Sequence, residues 1–137
     1  MTHGFLETFL DTRSSNGRDD VLLSDLHFRA TNGRLYKVPQ GSETDGMSTP
    51  RLFWAVPGFE PCGEHWFCYV LHDAGYRGTL TVWDKTAAAY VPASLSRIEA
   101  DRLMADALET KQAPPLVIAS VYRTLRLLGW RNYKPNA

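Results

Sequence analysis

Residues 64–77 read EHWFCYVLHDAGYR, and the next residue is Gly78. Trp66, Phe67, Tyr69, Val70, Leu71 and Ala74 make this stretch almost wholly apolar. A run of that length and composition, ended by glycine, predicts a buried helix. The rest of the chain must supply its cover. Downstream, Ser96 and Glu99 form a capping box, in which each side chain satisfies a free backbone N–H at a helix start. The helix they open is expected to reach about Lys111. A last helix begins near Pro114-Pro115 and carries Leu116, Val117, Ile118, Val121, Tyr122, Leu125 and Leu128. Gly129 is its expected stop.

Upstream, residues 1–40 read as β structure. VLLSDLHFRA (21–30) and GRLYKVPQG (33–41) flank Thr31-Asn32-Gly33. Asn-Gly between apolar runs is a strong hairpin signal, and Leu35, Tyr36 and Val38 favour a strand. Residues 12–20 (TRSSNGRDD) are expected to be an exposed loop. Residues 39–63 are broken by Pro39, Gly41, Gly46, Pro50, Pro57, Gly58, Pro61 and Gly63. Pro50-Arg51-Leu52-Phe53-Trp54 could start a short helix, with Pro in its first turn. A long irregular segment in a compact domain is usually functional or poorly ordered, and this one is too aromatic to be a solvated linker. Residues 79–95 (TLTVWDKTAAAYVPASL) predict a strand pair or a flap. Strands first and three helices after indicate an α+β fold: an N-terminal antiparallel hairpin or meander followed by a three-helix core. The expected organisation is one domain over 1–137. It comprises a β region at 1–40, a loop with a candidate metal-binding segment at 41–63, and a helical core at 64–130.

The composition sets limits. A chain of 137 residues fits one domain and buries roughly two-thirds of its unfolded surface. Lys plus Arg equals Asp plus Glu at 15 each, so no overall charge draws it to nucleic acid, and no specific nucleic-acid partner is expected. The two cysteines, Cys62 and Cys68, form no CxxC pair, which argues against a zinc site built on cysteine. They are expected to be free thiols of a reducing compartment. The start MTHGFLETFLDTRSS lacks the basic, apolar and cleavage regions of a signal peptide. No stretch approaches the ~20 apolar residues of a membrane span. Synthesis in the cytoplasm is expected.

His72 and Asp73 interrupt the apolar helix. Tyr76 lies four residues after His72, on the same helix face, and Arg77 stands so to Asp73. A lone His-Asp pair is commonly a buried histidine with a local hydrogen bond. Asp101 shifts that balance, because its helical neighbours Ile98, Met104, Ala105 and Leu108 turn it to the apolar side. Asp106, beside Arg102, Glu109 and Thr110, faces solvent instead. A buried carboxylate is costly unless paired, and His72 is the best polar candidate on the preceding helix. A carboxylate on one imidazole nitrogen fixes the tautomer and leaves the other nitrogen to act as base. Thr44-Asp45-Gly46-Met47-Ser48-Thr49-Pro50 adds a loop that can turn backbone carbonyls toward a hard cation. Asp45 and Asp73 are the candidate carboxylate ligands for calcium, which takes roughly six to eight oxygens. A plain turn held by Asp and Ser side chains is the simpler reading of that loop.

These motifs resemble two families. TDGMSTP (44–50), HDAGYRG (72–78), SRIEADRLMADAL (96–108) and VYRTLRLLGW (121–130) are similar in order and spacing to the small prokaryotic and fungal phospholipase A2 group. That resemblance implies His72 as general base, with Asp101 and Tyr76 orienting it. It also implies calcium on the Asp45 and Asp73 side chains and the Gly46 carbonyl, and a phospholipid or membrane surface as partner. The helix disulfides of that group are not reproduced, and 79–95 is a longer insertion. The second resemblance covers nearly the whole chain. VPQGSETDGMSTPRLFW (38–54), LHDAGYR (71–77) and RIEADRLM (97–104) look like a family of uncharacterised phage and prophage proteins. It implies a viral or prophage origin, hence synthesis in a host cytoplasm, and gives no activity by itself. A place in a virion, with other virion proteins as partners, follows if the protein is structural. Two functions follow as expectations: a calcium-dependent phospholipase A2-like hydrolase, or a tail or tail-tip component in which the same cluster is structural. A zinc-dependent cell-wall hydrolase is disfavoured, because only one histidine enters the constellation.

Of the remaining features, Trp54, Phe59, Leu80, Val82 and Trp83 suit either a lipid- or partner-facing rim or ordinary packing. Arg123, Arg126, Arg131 and Lys134 make a basic C-terminus, most simply a solvated helix face. His3, His27 and His65 receive no role.

Overall fold

The structure, a computed structural model, describes residues 3–8, 10–14, 20–44, 66–128 and 133. Its elements are β1 (Gly4–Phe5), β2 (Thr12–Ser14), β3 (Asp20–Leu22), β4 (Leu26–Arg29), β5 (Leu35–Val38), β6 (Glu43–Thr44), α1 (Trp66–Arg77), β7 (Thr81–Asp84), β8 (Ala89–Pro92), α2 (Arg97–Thr110) and α3 (Pro115–Leu128). The fold is α+β, with antiparallel strands in two sheets and three helices.

The Asn32-Gly33 hairpin forms as its sequence requires. Gly33 has φ +89°, a left-handed value that glycine adopts without strain. The Asn32 side chain accepts from the Arg34 N–H at 2.9 Å. Beyond the turn, Leu26 pairs with Val38 and Phe28 with Tyr36, and all four side chains are buried. His27, Arg29, Leu35 and Lys37 take the alternate, half-buried positions, as the two-residue period of a strand demands. Phe28 continues the apolar contact through Phe5 to Phe67 of α1, with ring centroids 4.9 and 5.5 Å apart.

Three expectations are corrected. The apolar stretch at 21–30 is two strands in different sheets, β3 and β4, separated by a bend over Leu23-Ser24. Residues 12–20 are not simply loop, because β2 and the start of β3 pair antiparallel there. β6 at Glu43–Thr44 joins them to make the sheet β2-β3-β6, so the segment from 41 opens on a strand. Strands this short and polar are held by backbone hydrogen bonds and leave no apolar alternation to read. The strand pair expected at 79–95 forms as the β7–β8 hairpin, and it adds to the N-terminal strands in the order β1-β4-β5-β7-β8. Tyr36 pairs with Val82 and Lys37 with Thr81.

The helices follow their sequence signals. Gly78, at φ +78°, ends α1, and the Thr79 N–H returns to the Ala74 carbonyl at 3.0 Å. Both halves of the Ser96–Glu99 capping box are present. No glycine follows α2, and Gln112 takes the left-handed position at φ +62°. α1 packs on α2, and α2 on α3. Where α1 meets α2, a Cβ on Gly75 would stand 3.3 Å from the Ala100 Cβ, already tighter than ordinary contact. Gly75→Val should therefore destabilise the protein by about 2 kcal/mol through overpacking. A urea titration should show a lower midpoint with an unchanged slope.

Candidate functional site

Three helices meet at one carboxylate. α1 presents His72 and Tyr76 one turn apart, with ring centroids 4.0 Å from each other. α2 presents Asp101, which is 0% exposed, and α3 presents Arg126. Asp101 Oδ1 lies 3.0 Å from His72 Nε2 and accepts from the Tyr76 hydroxyl at 2.5 Å. Asp101 Oδ2 accepts from Arg126 Nη1 at 2.7 Å and faces Arg97 Nη1 at 3.7 Å. Arg97 also donates to the Leu125 and Arg126 carbonyls at 2.8 and 3.3 Å. One side chain thus ties the start of α2 to the end of α3, where backbone acceptors lack helical partners. Tyr133 covers the site edge. Its ring stands 5.4 Å from that of Tyr76, edge-on, and its hydroxyl donates to the Leu95 carbonyl at 2.7 Å.

The electrostatics favour an ionised Asp101. Burial pushes its carboxyl upward most strongly, but hydrogen bonds from His72, Tyr76 and Arg126 together outweigh that and hold it below the usual range. An ionised carboxylate only accepts, so His72 must donate from Nε2. In the neutral imidazole, Nδ1 then carries the lone pair. Tyr76 is pushed well above the ordinary phenol range, first by burial and then by its bond to Asp101 and the Asp101 charge. It stays protonated and acts as a donor. Cys68 is a free thiol, pushed up to about 12, chiefly by burial. A thiol of that kind is no nucleophile at neutral pH.

Of the residues expected at the site, His72, Asp101 and Tyr76 come together. Asp73 neighbours His72 in sequence but forms its own ion pair, with Oδ2 3.0 Å from Arg77 Nε. Asp45 and Gly46 lie outside the described residues, as do Cys62, His65, Trp54, Phe59, Arg131 and Lys134. Among the described residues, no group of three or more His, Cys, Asp or Glu side chains is placed to hold a metal. In that set, the calcium reading rests on one carboxylate already facing an arginine. No helix among the described residues is long and apolar enough to cross a membrane.

Two residues escaped the sequence reading. Arg126 had looked like part of a solvated basic face, yet it reaches the buried Asp101. Arg97 carried a readable signal, because it precedes Asp101 by four residues on the same helix face. Arg126 had none in its own helix, since its partner lies on another. Leu80 is buried and Val82 packs on the core. Of the expected rim, only Trp83 is described as exposed, at 41%, and it stands edge-on to Tyr90. His27 has a structural partner, Glu7. The Glu7 carboxylate meets His27 Nδ1 at 2.6 Å and accepts its backbone N–H at 2.7 Å.

An α+β protein with a buried His–Asp–Arg junction between three helices is the class these features define. Over residues 21–124 the chain matches the family described as protein of unknown function (DUF1353), and it belongs to that family. It is 38% identical over 52 residues to the uncharacterized protein y4jT of Sinorhizobium fredii (strain NBRC 101917 / NGR234). That match covers 38% of this chain and 16% of the relative, so the chain spans only a small part of the curated protein it resembles. No solved structure matches it.

Truncating one partner of a buried, hydrogen-bonded charge cluster leaves the others unsatisfied. Asp101→Asn should lower the unfolding free energy by about 3 kcal/mol, read by chemical denaturation at neutral pH. The pH dependence has a definite sign. A carboxyl held below its unfolded value contributes stability that is present above the unfolded value, about 4, and is lost as pH falls toward the folded one. Wild-type stability should therefore fall on acidification through that window, and Asp101→Asn should flatten the fall.

Proposed function

We propose that His72 is the general base of an ester hydrolase, with Asp101 and Tyr76 as its positioning residues and a phospholipid acyl ester as substrate. The observation that carries this reading is the bond from His72 Nε2 to the buried Asp101 at 3.0 Å. It fixes the tautomer in which Nδ1 can take a proton. His72 Nδ1 would accept the proton of a water as that water attacks the ester carbonyl. The imidazolium so formed is stabilised by the Asp101 charge. It then returns the proton to the departing alkoxide. Arg126 keeps Asp101 ionised through the cycle, and Tyr76 holds its rotamer by donating to the same oxygen that meets His72.

The resemblance of the sequence motifs to small phospholipases A2 supports this choice of reaction, and on this reading the three helices would be the counterpart of their helical core. Calcium is the ion the reading calls for, with Asp73, Asp45 and the Gly46 carbonyl as its ligands, and when bound it would polarise the ester carbonyl as a Lewis acid. The pairing of Asp73 with Arg77 competes with that role. The resemblance to phage and prophage proteins supports synthesis in a host cell and delivery to a membrane in a particle.

A second reading has its own observation. Two arginines occupy Asp101 Oδ2, and a carboxylate so engaged serves equally as a brace between three helices. On that reading the protein is a virion component, such as a tail or tail-tip protein, and the cluster is structural.

Hydrolysis of fluorescent phosphatidylglycerol vesicles separates the two. Wild-type protein should release fatty acid with calcium and stop when EDTA is added. His72→Gln should lose about 100-fold or more in rate while its circular dichroism stays native. Lipid release that survives the substitution would sink the hydrolase reading. A wild-type protein that is inert with calcium, yet recovered at fixed copy number in purified virions, would establish the structural one.

A further inference from the structure

A second site lies on a different face of α2. Between the β4–β5 turn and α2 runs a cleft of about 430 Å³, within the ~300–1,000 Å³ typical of small-molecule pockets. Leu95, Leu103 and Ile118 give it an apolar wall. Tyr36 also lines it and is only 4% exposed. No side-chain hydrogen bond ties the Tyr36 hydroxyl to another described residue, and it is not one of the buried polar atoms left unsatisfied, so it keeps contact with solvent at the cleft wall, where an occupant can meet it.

Charge is ordered along the cleft. Glu99 is held below the usual carboxylate range first by its cap hydrogen bonds with Ser96, and further by the Arg34 and Arg102 charges. Arg102 lies one turn beyond Glu99 on α2 and Arg34 comes from the hairpin, and both line the cleft with Glu99. The Glu99 side chain there is engaged, accepting the Ser96 N–H at 2.9 Å. Asp106 and Glu109 line the other end, one and two turns beyond Arg102, or about 6 and 10 Å along the axis. One Asp106 oxygen accepts the Thr31 N–H at 3.1 Å. Glu109 makes no such bond among the described residues.

We propose that this cleft binds a short apolar peptide with free termini. Its carboxylate would sit on Arg34 and Arg102, its ammonium toward Asp106 and Glu109, its side chains on Leu95, Leu103 and Ile118, and a peptide group on the Tyr36 hydroxyl. An extended dipeptide spans about 7 Å, which matches the separation of the two charged ends. A simple anion would leave the acidic end unanswered, and a simple cation would oppose the arginines.

The probe is the dipeptide Leu-Leu, titrated into the full chain and followed by amide NMR. One molecule should bind per chain, saturably and at millimolar concentration, with shifts confined to residues 31–36 and 95–118. N-acetyl-Leu-Leu amide, which lacks both charges, should bind more weakly. Arg102→Ser and Glu109→Gln should each weaken Leu-Leu by about threefold, the usual scale of a solvent-exposed ion pair. Tyr36→Phe should weaken it as well without lowering the thermal midpoint, because the hydroxyl serves no contact of the fold. Absence of saturable binding would overturn the proposal. So would equal affinity for the uncharged peptide, or indifference to all three substitutions.

Discussion

A carboxylate with no exposure to solvent must be answered from every side, and at Asp101 the answers come from all three helices. His72 and Tyr76 fix the rotation of α1 about its axis, because both must reach Oδ1. Arg126 fixes how far α3 slides, because it must reach Oδ2. Apolar packing alone tolerates shifts of that kind with modest cost. Charged hydrogen bonds do not, since each lost partner leaves a buried charge exposed to a low dielectric. The arrangement of the helical layer is thus held to a single geometry by a residue that contributes little apolar burial.

The strong local signals in this sequence were legible because each has a short-range cause. The capping box of α2 needs only Ser96 and Glu99. The β4–β5 turn needs only Asn32 and Gly33, and the end of α1 needs only Gly78. The pairing of His72 with Asp101 was legible for a different reason: an inward carboxylate has few partners to choose from. What could not be read were relations set by tertiary placement. Arg126 has the same sequence context as a surface arginine, and only the approach of α3 to α2 makes it a partner of Asp101. β2 and β6 are too short and too polar to show a period. The β7–β8 hairpin was expected as a strand pair or flap, but nothing in residues 79–95 names β5 as the strand it joins.

Charge serves the two faces of α2 differently. Toward α1 and α3 the helix buries one carboxylate and surrounds it with donors from His72, Tyr76 and Arg126. Toward the hairpin it spreads carboxylates and arginines over an open cleft, where screening weakens each pair and leaves them able to exchange partners. Rigidity and adaptability are thus separated by about half a helical turn. If both proposals hold, a chemical site and a recognition site share one helix without disturbing each other.

The pairing of β5 with β7 has a consequence for how the chain can be assembled. Tyr36 and Val82 are neighbours in the sheet, although α1 and the whole segment leading to it lie between them in sequence. The five-stranded sheet is completed only after that intervening chain has been made. Contacts of such separation close late, because the loop entropy must be met before the pairing rewards it. The N-terminal strands on their own would present β5, with its Tyr36 and Val38, as an open edge, a template for pairing between molecules. During synthesis, then, the vulnerable interval runs from the emergence of β5 to the arrival of β7. An apolar helix released early at α1 would shorten that interval by giving the sheet its cover before its last strands.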